Sequence, residues 1–470
     1  MSTIPKSYTP TLLEALQWGF DPLGYAESRS RIMGDVFSTN LPPAPEGESL
    51  IFLNHPQAVQ CLLSQDNGDI FSAPGELNAL GEGFFGKSSI LMQSGAEHRR
   101  RRKLLLPPFH GERMKAYGDL ICQIAQGVMA DWQTGQVITA RNEMQKITMR
   151  VILQAVFGLH SGDRYRRLEK LLAERLDAVS SPFTSILVFF PQLTADLGPL
   201  SPGGYIKRLS EEIDQLLYAE IKERRASHDP NRSDVLSLLL SAHDENGEGL
   251  SDVELRDELM TLLVAGHETT ATALAWGLYW IHAQPDVKQT LLDELDAHQW
   301  ADQLTLSRLP YLNAVCNETL RIYPVGLLTL GRRVEKACQI MGYDLEAGDL
   351  VTACIYLVHH REDIYPNADA FRPERFLERQ YSPYEFLPFG GGSRRCIGSA
   401  LAMYEMTLIL HQILTSSELA LAEYQPVKPV RRGATLAPMG GVKLRKLGVR
   451  SNITTQPGTG ERVESELVEV

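Results

Sequence analysis

The sequence has no paired cysteines. Its six, Cys61, Cys122, Cys316, Cys338, Cys354 and Cys396, stand far apart without one Cys-x-x-Cys. That spacing excludes a zinc site and a dense disulfide framework, and it predicts a reducing compartment, the cytoplasm. Positive charge is also short: 46 Lys and Arg face 58 Asp and Glu, a formal net charge of −12. Bulk nucleic-acid binding needs a basic field to replace phosphate counterions, so that class is excluded. Met1–Lys6 lacks the charged start and apolar core of a signal peptide. Only Leu259–Ala283 is apolar over the length of a bilayer, and His267, Glu268, Thr269 and Thr270 interrupt its centre. Ionisable groups are expensive in lipid, so this stretch reads as a long helix buried in protein, with no transmembrane anchor. Neither an internal repeat nor a Gly/Ser linker divides the 470 residues.

What is there reads in three parts. Residues 1–97 mix Pro-rich loops with short apolar runs such as Leu50–Leu53, a strand followed by a helix from Pro56. Residues 98–320 carry helical periodicity, in Leu168–Leu176, Ile206–Arg225 and Leu255–Ala283. Gly and Pro return over 321–450, with a β-rich run at Leu350–Val358 and a helix over Leu401–Leu414. The expected fold class is mainly α with a smaller β-rich region: one domain over 1–450, β-rich near 30–60 and 325–390. Residues 451–470, with four Glu and one Arg, read as a disordered acidic tail.

The chemistry concentrates in Phe389-Gly-Gly-Gly-Ser-Arg394-Arg-Cys396-Ile-Gly398. A lone cysteine between a Gly-rich loop and an apolar helix sits where peptide N–H groups and the positive helix end favour thiolate, the metal-binding form. The glycines let backbone pass close to a flat, bulky ligand, Arg394 offers a charge to an anionic group, and Phe389 offers a planar apolar surface. A phosphate loop would need Gly-Lys-Ser/Thr after the glycines, and Ser-Arg-Arg follows instead. A purely structural turn remains the alternative.

Three further patterns have a bland and a functional reading each. Glu318 and Arg321, at i and i+3, form either an exposed surface pair or a built ion pair. Ala265-Gly-His-Glu268-Thr269-Thr lies mid-helix. It cannot be a zinc-protease motif, since the second histidine falls at Ala271; it is either a hydrogen-bonded kink or a functional polar knot. His98-Arg-Arg-Arg-Arg102-Lys is either a solvated face or, with His98 and Arg102 at i and i+4, a paired anion contact.

The cysteine segment resembles the haem-ligand loop of the cytochrome P450 superfamily, Phe-x-x-Gly-x-Arg-x-Cys-x-Gly, through Phe389, Gly392, Arg394, Cys396 and Gly398. Glu318-Thr-Leu-Arg321 and Arg375 of Phe371–Phe376 look like the family's charged triad. Ala265–Thr270 is similar to its distal-helix motif, with Glu268 in place of the commoner Asp. The likeness spans roughly residues 30–450. It implies the P450 fold, with haem b (iron protoporphyrin IX) buried between the long distal helix and the cysteine loop. Cys396 would be the axial iron ligand, with Phe389 and Gly398 around it; Glu268 and Thr269 would deliver protons for oxygen activation. His98, Arg102, Arg394 and Arg332, or its neighbour Arg333, would bind the propionates, while Glu318, Arg321 and Arg375 would be structural.

The implied activity is insertion of one oxygen atom from dioxygen into a hydrophobic substrate, a fatty acid, terpenoid or similar. Electrons would come from a ferredoxin- or flavodoxin-type donor with its reductase. Arg99–Arg101 and Lys103 would partly form a basic patch for that donor. By family position the substrate walls would come from 71–90, 180–193, 262–265 and 325–329, with Phe84, Phe85, Phe189, Ala265, Leu327 and Leu328 as pocket residues. Ile186–Phe190, apolar for a loop, is either core or a lid. Two rivals are a peroxygenase or isomerase on the same fold, which commonly lacks the acid–Thr pair, and a haem carrier or gas sensor, which would not need it.

Overall fold

Alternation along Leu50–Leu53 decides how the sheet is buried. Ile51 and Leu53 join one apolar cluster with Val36, Phe71 and Val351, while Leu50 and Phe52 join another with Trp18, Phe37 and Leu350. Period-two side chains thus pack both faces. In the computed structural model, which describes residues 3–41, 49–109, 111, 113–180, 196, 198, 201–227, 229 and 232–450, this sheet has five strands. They are β1 (Val36–Thr39), β2 (Leu50–Leu53), β3 (Phe71–Ser72), β5 (Arg332–Val334) and β8 (Leu350–Ala353), in the order β1-β2-β8-β5-β3. Only the β2–β8 pair is parallel. A three-stranded antiparallel sheet joins β4 (Val137–Thr139), β12 (Lys443–Val449) and β9 (Ser417–Leu421). Hairpins β6–β7 (Cys338–Ile340, Tyr343–Leu345) and β10–β11 (Pro429–Arg432, Thr435–Pro438) complete the β structure. Strands β9 to β12 lie beyond the 325–390 range expected for the β-rich part.

The rest is mainly helical, as expected. The long helix runs Asp252–Ala283, started by a capping box in which Ser251 and Glu254 each bond the other's backbone N–H. Its 32 residues span about 48 Å, and most side chains beyond the first turn are buried. No helix among the described residues is long and apolar enough to cross a membrane. The helix continues unbroken through Ala265–Thr270. Gly266 serves close packing here: a Cβ at that position would lie 2.8 Å from Ile152 of the helix Ala140–Phe157.

Leu350–Val358 does not stay a strand. After Ala353 the chain pairs once, Cys354 with Leu328, and turns into the helix Ile355–His359. Both halves are fully buried, and an unbroken apolar run carries no period to separate strand from helix. Phe189, Ile186–Phe190 and residues 451–470 lie outside the described residues.

Candidate active site

The cysteine loop is held by contacts from distant parts of the chain. Gly390 and Gly392 both adopt φ of 65°, a region that favours glycine. At Gly392 the need is double, since a Cβ would meet the Asp66 carboxylate at 2.2 Å. Asp66 accepts from Ser393 N at 2.9 Å and Ser393 Oγ at 3.1 Å, and it pairs with Arg332 at 2.7 Å. Cys396 N donates to Phe389 O at 3.0 Å, closing the loop. Gly398 follows as the N-cap of the helix Ser399–Ser416. Burial pushes the Cys396 thiol pKa up, while the Gly398 N–H, Arg102 and Arg395 favour thiolate. Protein surrounds the sulfur closely, yet Cys396 is solvent-accessible, because it lines open space. A cleft of about 360 Å³ reaches it between Arg102, Leu106, Phe389, Ile397 and Met403.

Around this loop lies a cluster of cations. His98 is 5 % exposed, and its pKa is lowered to about 4, by burial first and then by Arg394, Arg102, Arg332 and Arg99. Arg394 donates to the carbonyls of Ile90, at 3.0 Å, Ala73 and Gln93; burial, then Arg332, lowers its pKa to about 10. Arg102 donates to Arg395 O at 2.7 Å. Arg332 is fully buried and occupied by Asp66, Leu330 O at 2.6 Å and Gly391 O at 3.0 Å. On the other face of β5, Arg333 keeps a buried Nε without a partner. Of the three guanidinium groups of Arg102, Arg332 and Arg394, only that of Arg332 bonds a carboxylate, Asp66, whose field also reaches Arg394. Such a cluster fits a ligand that brings two anionic groups.

The long helix supplies a second open surface. Leu262, Ala265, Gly266 and Thr269 remain accessible, while Leu263, His267, Thr270 and Ala271 are buried. Val264 is partly exposed as well, but Leu262, Ala265, Gly266 and Thr269 are spaced i, i+3, i+4, i+7, one face of the helix. Thr269 Oγ1 donates to Ala265 O at 2.6 Å. Glu268 points elsewhere: it is buried, ion-paired with Arg141 and bonded by Gln145 Nε2 at 2.8 Å. Neighbouring residues on a helix do not face each other, and these two do not meet.

Other expected residues fall as follows. Glu318 accepts from Arg321 at 2.7 and 2.9 Å, from Arg375 Nε at 3.0 Å and from the Arg372 N–H at 2.7 Å. All three triad residues are buried, so the pair is not a surface one. Phe84 and Phe85, in the short helix Glu82–Phe85, lie 5.8 Å apart edge to face and half-buried. Leu327 is packed into the sheet-side core with Trp18, Phe37 and Leu436, with Leu328 partly buried against the same cluster. Leu327 is thus core, not wall.

The basic run is corrected more strongly. Arg101 is buried and paired with Glu97 at 3.0 Å, Glu258 at 3.1 Å and Glu254. Arg100 pairs with Glu97 and Asp244, and Lys103 with Glu245 at 2.8 Å. Most of the expected donor patch is therefore neutralised within the molecule, with Arg101 out of any partner's reach. Sequence reading also missed Asp66, Arg141 and Gln145, which belong to no local motif and act only through contacts more than 100 residues away in the chain.

The family model described as Cytochrome P450 matches residues 26–444. Cytochrome P450 135B1 of Mycobacterium tuberculosis is 35% identical over 440 residues, 93% of this chain and 90% of the relative. Cytochrome P450 137 of the same organism is 34% identical over 386 residues, 80% of this chain and 78% of the relative. Among solved structures, retinoic acid-bound cyanobacterial CYP120A1 superposes with a TM-score of 0.82 at 25% identity, covering 95% of this chain and 99% of that one. The haem domain of cytochrome P450DA gives the same TM-score at 24% identity, covering 96% and 99%, a likeness of fold. The chain belongs to the cytochrome P450 family and is a haem-thiolate monooxygenase.

Proposed function

We propose that this enzyme hydroxylates a hydrophobic small molecule, a fatty acid, terpenoid or similar compound, over haem b held by Cys396. The observation that carries the reading is the pairing of two open surfaces: the accessible sulfur of Cys396, ringed by cations, and the accessible stripe from Leu262 to Thr269. Arg102 and Arg394, with His98 and either Arg332 or Arg333, would hold the propionates; Phe389 and Gly398 would flank the sulfur. When bound, the haem iron supplies the oxygen chemistry, which a thiolate ligand promotes by pushing electron density toward the metal.

The chain's own part is positioning and proton control. Gly398 N–H stabilises negative charge on Cys396 Sγ. Thr269 carries its hydroxyl proton on the open face, directed to Ala265 O. Glu268 is held on another face by Arg141 and Gln145, so a proton passing from its carboxyl to Thr269 needs water between them or release of the Arg141 pair. Apolar walls from Phe84, Phe85 and Ala265 exclude bulk water and favour a greasy ligand. The retinoic acid in the CYP120A1 structure, itself hydrophobic, agrees with this substrate class. Electrons would come from a ferredoxin- or flavodoxin-type donor with its reductase, in the cytoplasm.

The test is the absorption spectrum of the reduced, carbon monoxide-bound protein for wild type and Cys396→His. A strongly red-shifted Soret band in wild type, lost in the variant, is the expected result. A histidine-like band in wild type would remove Cys396 as the ligand.

A further inference from the structure

The helix Asp163–Ser180 buries Leu168, Leu171, Leu172 and Leu176 in the helical core, and the same face carries Arg175, which is 1% exposed. A guanidinium does not lose its proton inside a protein, so a permanent charge sits in this apolar face. Among the described residues five arginines share this depth of burial, Arg101, Arg175, Arg321, Arg332 and Arg375. Four of them have a carboxylate within 3.1 Å: Glu258, Glu318, Asp66 and Glu318 again. Arg175 has none within 4.0 Å among the described residues. The segment that follows the helix, 181–195, contains no Asp or Glu to supply one. Asp214, the carboxylate whose field reaches Arg175, is occupied by Arg256 Nε at 2.7 Å.

The contacts Arg175 does make orient it without neutralising it. Its Nη2 donates to Phe84 O at 3.1 Å and Gly83 O at 3.3 Å, and its guanidinium lies 4.2 Å from the Phe84 ring centre. Its Nε is buried without a partner. A desolvated cation held by carbonyls and a ring, but by no anion, is costly unless an anion arrives. The position favours the substrate as that anion. Just beyond Phe84, Ser88 N donates to Asp257 at 2.8 Å, and Ser89 Oγ meets Thr261 Oγ1 at 2.7 Å. This segment is therefore fastened to the long helix immediately before the open stripe that starts at Leu262. From Asp257 to Thr269 the helix rises about 18 Å.

We propose that Arg175 anchors the substrate's carboxylate, and that the substrate is a long-chain hydrophobic carboxylic acid lying along the stripe from Leu262 toward Thr269. The head would be met by a fixed guanidinium with an unused N–H, the chain by apolar wall. This rests on the hydrophobic-substrate reading above, and narrows it from greasy ligands in general to anionic ones.

The test titrates haem-loaded enzyme with palmitate, methyl palmitate and hexadecan-1-ol, reading the spin-state change and the heat of binding. Wild type is expected to bind palmitate at least about tenfold more tightly than the ester or the alcohol, the usual worth of a charge-assisted contact. Arg175→Gln should bring palmitate down to the ester's affinity, leaving ester affinity, carbon monoxide band and melting temperature unchanged. If that variant does not fold, Arg175→Lys, which keeps the charge but not the fork, should weaken palmitate alone. Equal affinity for acid and ester in wild type overturns the proposal, as does a variant that weakens both alike, the sign of a merely structural clamp. No response to any of the three ligands, with the carbon monoxide band intact, overturns the hydrophobic-substrate reading and this one with it.

Discussion

Two charge clusters, one around Glu318 and one around the cysteine loop, are built oppositely. Around Glu318, two guanidinium groups and one backbone N–H converge on a single carboxylate, and the remaining Arg321 donors find His359 O at 2.8 Å and Ala370 O at 3.2 Å. That cluster is closed, because both guanidinium groups bond the same carboxylate directly. Around Cys396, the cations Arg394, Arg102 and Arg332 lower the His98 pKa, Arg332 and Arg102 lower that of Arg394, and of the three only Arg332 bonds a carboxylate, Asp66. That cluster is open. A protein keeps uncompensated buried charge only where something else completes it, so closure marks architecture and openness marks a ligand site. By this criterion Arg175 belongs with the open group.

The largest effect should come from breaking the closed cluster. Glu318→Ala leaves Arg321 and Arg375 buried without an anion, and removal of one partner from such a group costs about 3–5 kcal/mol. Urea unfolding of the apoprotein is expected to show a loss of that size, with little folded enzyme recovered. The same truncation in the open cluster should behave differently. Arg394→Met removes a cation that repels its neighbours but also the donor to the Ile90, Ala73 and Gln93 carbonyls, so the apoprotein should lose about 1–2 kcal/mol, less than Glu318→Ala does, whereas haem should leave about tenfold faster, the worth of one charged hydrogen bond. Haem transfer to excess apomyoglobin reads this rate. If Arg394→Met destabilised the apoprotein as Glu318→Ala does, the distinction between the clusters would fail.

What was legible in the sequence follows the same division. Phe389 to Gly398 and Glu318 to Arg321 place their groups by local spacing, so loop and helix geometry carry them into position. The partners that close or leave open each site come from elsewhere: Asp66 from a turn after the helix Pro56–Ser64, Arg141 from the start of the helix Ala140–Phe157, Arg175 from an apolar helical face. No spacing rule reaches across about 90 residues or more. The misreading of His98–Lys103 has the same origin. Five successive cations look like a surface patch until the acidic start of the long helix and the turn at Asp244 and Glu245 pack against them. The β-rich run at Leu350–Val358 failed for another reason, since burial on all sides erased its period.

The smallest expected effect, and the sharpest, concerns His98. Its pKa in the protein is about 4 against an ordinary value of 6.5, so between those values the unfolded chain binds more protons than the folded one. Apoprotein stability should therefore fall as pH drops from about 6.5 toward 4, with the whole penalty present below 4. Burial contributes to that depression, but so do Arg394, Arg102 and Arg332, and their repulsion is the part a ligand can cancel. Two propionates set among these cations would raise the His98 pKa, so near pH 5 haem binding to wild type should take up as much as about one proton more per haem than binding to His98→Gln, set against the proton that Cys396 gives up in binding as thiolate. Calorimetry of haem binding in buffers of different ionisation enthalpy measures the uptake. In His98→Gln the His98 contribution should vanish and leave the Cys396 release, although other buried histidines, such as His267 with a pKa of about 3, would still weaken the apoprotein in acid. Proton uptake unchanged in that variant would mean that His98 does not sense the anions, and the cationic cluster would then be open toward something other than haem.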